Sequence, residues 1–136
     1  MKSHETVIRL KRFQVDEKRQ QVSDIEAMIA DFERISTDLD QQIEAEQKRT
    51  GISDTNHFAY PTFAKAAMQR RDNLRASVEE LRAKLETARD ELEEAFEELK
   101  KVELMEEREM ERGHEMAAAH GQAAFGEAGV AMQRRR

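Results

Sequence analysis

The residues with the clearest potential for chemistry are four histidines, at His4, His57, His114 and His120. His114 is followed by Glu115, as in helical zinc-protease motifs, but no second histidine follows at the required spacing. His114 and His120 would lie on different faces of a helix. Cysteine is absent, which excludes a disulfide framework and a cysteine-based zinc site. The sequence therefore predicts no metal site and no cofactor.

Carboxylates are concentrated in residues 86–112, where twelve acidic residues accompany five basic ones. General acid–base catalysis needs a carboxyl group whose pKa is shifted in a site that excludes water. A solvated helix face offers neither condition. The chain also lacks a glycine-rich phosphate loop and a serine–histidine–aspartate arrangement. We therefore expect a protein without catalytic residues, which is not an enzyme.

The elements that carry these side chains are predicted to be long helices. The chain has 136 residues, 38% of them hydrophobic and 38% charged, with five glycines and one proline. Residues 1–50 and 62–112 contain neither glycine nor proline, which rules out a many-stranded β fold. The short apolar runs predict no direct membrane insertion and no signal peptide. The net charge of −6 disfavours nucleic acid as a partner.

Residues 3–49 predict one helix with a seven-residue apolar repeat. Such a repeat is typical of the a and d positions of a coiled coil, which we call the seam. The a positions are Ile8, Val15, Val22, Ile29, Ser36 and Ile43. The d positions are Lys11, Lys18, Ile25, Phe32, Leu39 and Glu46.

Residues 50–61 predict the turn, because Gly51 follows two cations and Pro61 suits the start of a new helix. Residues 62–112 predict a second helix with its own seam. Its a positions are Val78, Leu85, Leu92 and Leu99, and its d positions are Ala67, Leu74, Leu81, Ala88, Ala95 and Val102. Residues 113–136 are rich in alanine and glycine and predict a flexible, disordered tail.

The two seams fit each other as an antiparallel two-helix coiled-coil hairpin. When facing residues have numbers that sum to 110, every a position of one helix meets a d position of the other. Residues 1–20 carry six bases and three acids, and they face the acidic part of the second helix. Because exposed ion pairs each contribute only about 0–1 kcal/mol, this charge match helps to set orientation more than stability.

Apolar side chains outside the seam are candidate contacts for a partner. Phe58, Tyr60 and Phe63 crowd the turn, where they either dock to a partner or form a plug, with Phe58 or Phe63 closing the last seam layer. Near the N-terminus, Val7, Leu10 and Phe13 lie beside Ile8 and off the seam. A further set, Met105, Met110 and Met116, suits an adaptable contact surface or a loose helix end.

The sequence contains three basic clusters, and three roles for them remain open. They increase solubility and pair with the acidic helix, or they contact an acidic protein surface, or they bind nucleic acid. They are Lys11-Arg12, Lys18-Arg19, and Arg70-Arg71 with Arg75.

Two segments resemble the FliJ family, the small coiled-coil component of the flagellar type III export apparatus. Residues 8–18, which begin Ile8-Arg9-Leu10-Lys11-Arg12-Phe13, look like that family's opening pattern. Residues 57–66 look like the turn of its alphaproteobacterial branch. The resemblance covers roughly residues 1–112. The polar Lys11 and Lys18 in the seam depart from an ideal pattern.

This resemblance implies a stalk-like coiled coil that binds the flagellar export ATPase and contacts the export-gate membrane protein and substrate chaperones. It implies a cytoplasmic position at the inner face of the cell membrane, at the flagellar base. The implied ATPase-facing residues are Ile8, Arg9, Leu10, Lys11, Arg12 and Phe13, with the helix around Val102 and Met105. The implied gate or chaperone contacts are Tyr60, Phe63 and Arg70.

Two other functions remain open from the residues alone. A generic adaptor or holdase chaperone, with a homodimer as one form of it, is favoured by apolar residues beside the seam at Met28, Ile35 and Phe96. A nucleic-acid-associated coiled coil predicts binding that weakens steeply as salt rises.

Overall fold

The computed structural model describes the backbone of residues 2–134 and the side chains of residues 4–123. Two α-helices, α1 (Lys2–Thr50) and α2 (Thr62–Arg134), pack against each other. Residues 2–134 contain no strand. The prediction of an all-α fold with two packed helices is confirmed. The predicted start of the second helix agrees with the structure, and the first helix agrees to within one residue at each end.

The turn between the helices is stabilised by local hydrogen bonds. Gly51 adopts a left-handed conformation with φ of 72°, and its N–H donates to the Gln47 carbonyl at 2.8 Å. This is the αL motif that ends a helix, and it requires the conformational freedom of glycine. At the other end of the turn, the Lys65 N–H donates to the carbonyl of Pro61 at 3.1 Å and opens α2.

The chain divides into two compact units, which are described separately. Unit 1 comprises Met1–Val15 and Ala95–Arg136, and unit 2 comprises Asp16–Glu94. The buried apolar side chains of unit 1 are Ile8, Val15, Ala95 and Leu99. Those of unit 2 are Leu39, Ile43, Tyr60, Ala64, Ala67, Val78, Leu81 and Ala88.

The predicted seam is confirmed residue by residue. Every a and d position assigned from the sequence is buried or half-buried, including the four polar ones on α1. A core cluster lies in unit 2, where Leu39, Ile43 and Ala67 meet with three partly buried apolar neighbours. Those neighbours are Ile35, Met68 and Leu74.

The helix register also agrees with the sequence. In unit 1 the Lys11 ammonium donates to Glu98 at 2.9 Å, and in unit 2 the Lys18 ammonium donates to Glu91 at 2.9 Å. Both pairs of numbers sum to 109, within one residue of the predicted 110. Each seam lysine therefore reaches past its facing residue to a carboxylate on the rim of the other helix.

The predicted end of the second helix at residue 112 is too early, because α2 continues to Arg134. Gly113 and Gly121 are accommodated within the helix, and nothing lies within 4 Å of where a Cβ would stand on either. Alanine, the best helix former, occupies three consecutive positions between them. Side chains 113–123 are all exposed, so propensity rather than packing accounts for this stretch. The predicted disorder of residues 113–136 stays a prediction, and the side chains beyond 123 lie outside the described residues.

Candidate partner-binding surfaces

In unit 1, the first helix presents an apolar and basic surface to solvent. Leu10 is 53% exposed and Phe13 is 63% exposed, and Arg9 and Arg12 are exposed beside them. We call Arg9, Leu10, Arg12 and Phe13 the N-terminal face. Large apolar side chains normally contribute to stability through burial, so these two contribute little to the hairpin itself. They remain accessible to another molecule.

Two residues assigned to the same site from the sequence are occupied by the fold instead. Ile8 is only 6% exposed and fills a seam position. Lys11 is half-buried and bonded to Glu98. Both side chains are used in the packing of α1 against α2.

Polar contacts in unit 1 join the basic helix start to the acidic part of α2. His4 Nε2 lies 3.0 Å from Glu109, and an Arg12 guanidinium nitrogen lies 3.8 Å from Glu103. These contacts support the expected pairing between the two charged stretches. Among the described side chains, Arg9 has no ion-pair partner, which leaves its charge available.

A groove runs beside the seam of unit 1, and the sequence analysis did not identify it. Its volume is about 560 Å³. It is lined by Ile8, Arg12, Lys100, Glu103, Leu104, Glu106, Glu107 and Met110. The sequence signal that could have revealed it was the presence of Leu104 and Met110, two apolar residues of α2 that occupy neither an a nor a d position.

At the turn, in unit 2, the plug is Tyr60 rather than Phe58 or Phe63. Tyr60 is 7% exposed, and its hydroxyl accepts a hydrogen bond from Gln47 Nε2 at 2.9 Å and donates to the sulfur of Met68 at 3.4 Å. A tyrosine combines an apolar ring with a hydroxyl that can bond at the edge of a core, whereas phenylalanine has no such group. The expectation that a phenylalanine closes the seam was therefore wrong.

Both phenylalanines of the turn face solvent. Phe58 is 96% exposed and stacks on the His57 ring with centroids 4.7 Å apart, and Phe63 is 58% exposed. The His57 side chain is fixed in turn, because its Nδ1 accepts the Ala59 N–H at 3.0 Å. The exposed aromatic side chains at this end are thus Phe58 and Phe63, whereas Tyr60, which the sequence analysis also named as a contact, is buried.

The basic cluster that follows the turn is used mainly within the fold. Arg71 donates to Asp40 at 2.9 Å, and Arg75 donates to the other oxygen of Asp40 at 2.6 Å. The hydrogen bond to Asp40 raises the pKa of Arg71 above its ordinary value, although partial burial opposes the shift. Arg70 alone of the three is exposed without an ion pair among the described side chains.

Two charged residues of the seam on α1 have shifted pKa values, and both are parts of ion pairs. The hydrogen bond to Glu91 raises the pKa of Lys18, and the hydrogen bond from Arg49 lowers the pKa of Glu46. Each shift favours the charged form of a residue at a seam position. These pairs explain how charged side chains are tolerated there.

Two other kinds of feature, a metal-binding cluster and a membrane-spanning helix, are absent from the described residues. No group of three or more histidine, cysteine, aspartate or glutamate side chains is arranged to hold a metal ion. Neither helix contains a stretch long and apolar enough to cross a membrane.

Comparison with protein-family models, with curated proteins and with solved structures found no match to this chain. The surfaces described above therefore rest on the residues and geometry of this chain.

Proposed function

We propose that this protein is a non-enzymatic component of the flagellar export apparatus. In this role it is a stalk-like coiled coil that binds the export ATPase ring and links it to the export gate or to substrate chaperones. The observation that carries the proposal is the N-terminal face, which leaves Leu10 and Phe13 exposed beside two arginines. That face coincides with the segment that resembles the FliJ opening pattern.

The proposed mechanism is allosteric. A coiled coil that makes different contacts with different states of the ATPase subunits shifts the equilibrium between those states. In this role the arginines of the N-terminal face supply polar contacts, and Leu10 and Phe13 supply the apolar ones. Ile8 and Lys11 keep α1 seated on α2 so that the face is presented rigidly.

The turn supplies the second contact in this proposal. Phe58 and Phe63 are exposed aromatic side chains, the type most often found as interface anchors, and Arg70 adds a free charge nearby in sequence. These residues would meet the gate protein or a chaperone. The position at the inner face of the cell membrane, in the cytoplasm, belongs to the same proposal.

The test is stimulation of ATP hydrolysis by the purified flagellar export ATPase of the same organism. Reversing the charges of the two arginines of the N-terminal face, Arg9→Glu with Arg12→Glu, should abolish stimulation while circular dichroism shows unchanged helicity. The matched control is Lys84→Glu with Arg89→Glu, two exposed bases of unit 2, and it should stimulate normally. Normal stimulation by the Arg9 and Arg12 variant would reject the assigned contact.

The main alternative is an adaptor or holdase chaperone. It is favoured by Met28, which is 45% exposed beside the seam. Ile35 does not add to this surface, because it packs against the core cluster of unit 2, and Phe96 is half-buried. A chain that suppresses aggregation of unrelated unfolded proteins, and does not stimulate the ATPase, would favour the alternative.

A further inference from the structure

The groove of unit 1 has an apolar interior that the hairpin does not fill. Ile8 is the buried residue in its lining, while Leu104 and Met110 are 50% and 57% exposed. Leu104 and Met110 are six residues apart on α2, which places them roughly 9 Å apart along the axis and on different sides of the helix, so each contributes a separate apolar contact to the lining. Two helices alone cannot cover the flank of their own seam, and a third helix lying in the trough would do so.

The rim of the groove carries an excess of negative charge. Three of its residues are acids (Glu103, Glu106 and Glu107) and two are bases (Arg12 and Lys100). Glu103 is matched by Arg12, whereas Glu106 and Glu107 have no ion pair among the described side chains. The α2 segment that lines the groove, residues 100–110, contains four acids and three bases, a small excess of negative charge. Because Glu106 and Glu107 are unpaired within the described residues, the groove favours a basic occupant.

We propose that this groove binds an amphipathic helix of another protein, one that presents bulky apolar side chains flanked by lysine or arginine. Helix-in-groove recognition of this type uses apolar anchors spaced along one face of the helix. Methionine in the wall suits it, because an unbranched side chain adapts to different anchors. The inference does not rest on the proposed function, and the variants that test it leave unchanged Arg12, the residue that the groove shares with the N-terminal face.

The binding test uses the full chain and a fluorescent model peptide of about 18 residues, with leucine on one face and lysine on the other. Fluorescence anisotropy should show saturable binding of this peptide. A peptide with glutamate in place of lysine should bind at least about tenfold more weakly, because its charge repels the rim.

Groove variants separate specific docking from general attraction to an acidic protein. Replacing the walls by Leu104→Gln with Met110→Gln should weaken binding of the lysine peptide about tenfold. The matched control, Leu10→Gln with Phe13→Gln, removes equally exposed apolar groups elsewhere in unit 1 and should leave binding unchanged. Because all four side chains are half exposed or more, the variants should retain their helicity.

The charge of the rim is tested in the same way. Glu106→Gln with Glu107→Gln should weaken binding severalfold, and Glu93→Gln with Glu97→Gln, two exposed acids outside the groove, should not. Equal losses in the two pairs would mean non-specific attraction and would overturn the proposal. So would unaltered binding in the Leu104 and Met110 variant.

The N-terminal face is itself apolar and basic, so a second copy of this chain is another candidate occupant of the groove. Sedimentation of the chain alone tests this. We expect a monomer. A dimer that Leu104→Gln with Met110→Gln dissociates would show that the groove binds another copy of this chain, and would overturn the proposal. The control pair at Leu10 and Phe13 is expected to impair ATPase stimulation but not peptide binding, so the two proposals can fail independently.

Discussion

The two units of the chain use their apolar residues differently. Unit 2 contains a packed core cluster, the Tyr60 plug and the Asp40 ion pairs with Arg71 and Arg75. Among the described side chains, unit 1 contains seven of the ten large apolar groups that are exposed: Val7, Leu10, Phe13, Leu104, Met105, Met110 and Met116. Unit 2 thus exposes three large apolar side chains, two of them at the turn, whereas unit 1 leaves seven available to other molecules.

This difference distinguishes the residues that stabilise the two-helix fold from those that are available to bind another molecule. The seam of two helices buries little apolar area, and a large side chain that stays in solvent does not add to the stability of the fold. Exposed apolar residues clustered in one region are typical of interaction surfaces. The four predictions that follow test this comparison, beginning with the largest expected effect.

The largest effect is expected in the core of unit 2. Ile43→Ala should lower the free energy of unfolding by about 2–5 kcal/mol, because it removes buried atoms and leaves a cavity beside Leu39 and Ala67. The exposed Leu10→Ala should change it by no more than about 0.5 kcal/mol. Urea denaturation followed by circular dichroism measures both. Equal losses in the two variants would contradict the comparison.

The plug predicts a smaller effect at the turn. Tyr60→Phe keeps the ring but removes the hydroxyl that bonds to Gln47 and Met68, and it should cost about 1 kcal/mol. Hydrogen exchange should accelerate in residues 51–61 and remain unchanged in unit 1. If Phe58→Ala destabilised the turn more than Tyr60→Phe does, the assignment of the plug would be wrong.

Replacing Ser36 is expected to raise the free energy of unfolding, whereas Ile43→Ala and Tyr60→Phe should lower it. Its hydroxyl is buried at a seam position without a hydrogen-bond partner among the described residues. An unpaired buried hydroxyl is destabilising, and alanine is the better helix former, so Ser36→Ala should stabilise the chain by about 1 kcal/mol. The urea midpoint should rise. A fall would show that the hydroxyl is satisfied in solution.

The smallest effect concerns the Lys18 ion pair with Glu91. The folded state raises the pKa of Lys18, so the folded state binds this proton more tightly than the unfolded state. Its stabilising contribution is complete below the unfolded pKa and is lost as the pH rises through the folded value. The stability difference between the chain and Lys18→Gln should therefore shrink in alkaline solution above about pH 10. A difference that persists there would point to packing by the lysine stem.

The seam and register were predictable because a seven-residue repeat constrains many positions at once. The sum of 110 used the turn and both helices together, and the pairs of Lys11 and Lys18 agree with it. The break at Gly51 was equally clear, because a glycine just after two cations is a strong sequence signal for the end of a helix. The structure shows this glycine with a positive φ.

Other features depended on contacts that a repeat does not encode. The sequence did not distinguish Tyr60 from its two phenylalanine neighbours, because the choice depends on whether Gln47 can reach the ring's hydroxyl. The groove depends on which seam flank remains uncovered, and this follows from the packing of both helices. The end of α2 was misplaced because two glycines and a fading seam resemble a stop signal, while the alanines between them favour continuation.

The most direct test of the proposed function is hydrogen–deuterium exchange of the full chain, alone and bound to the purified flagellar export ATPase. The proposed function predicts protection in residues 4–15, which contain the N-terminal face, and no added protection in residues 51–63 at the turn. Protection confined to the turn, or no binding at all, would contradict it.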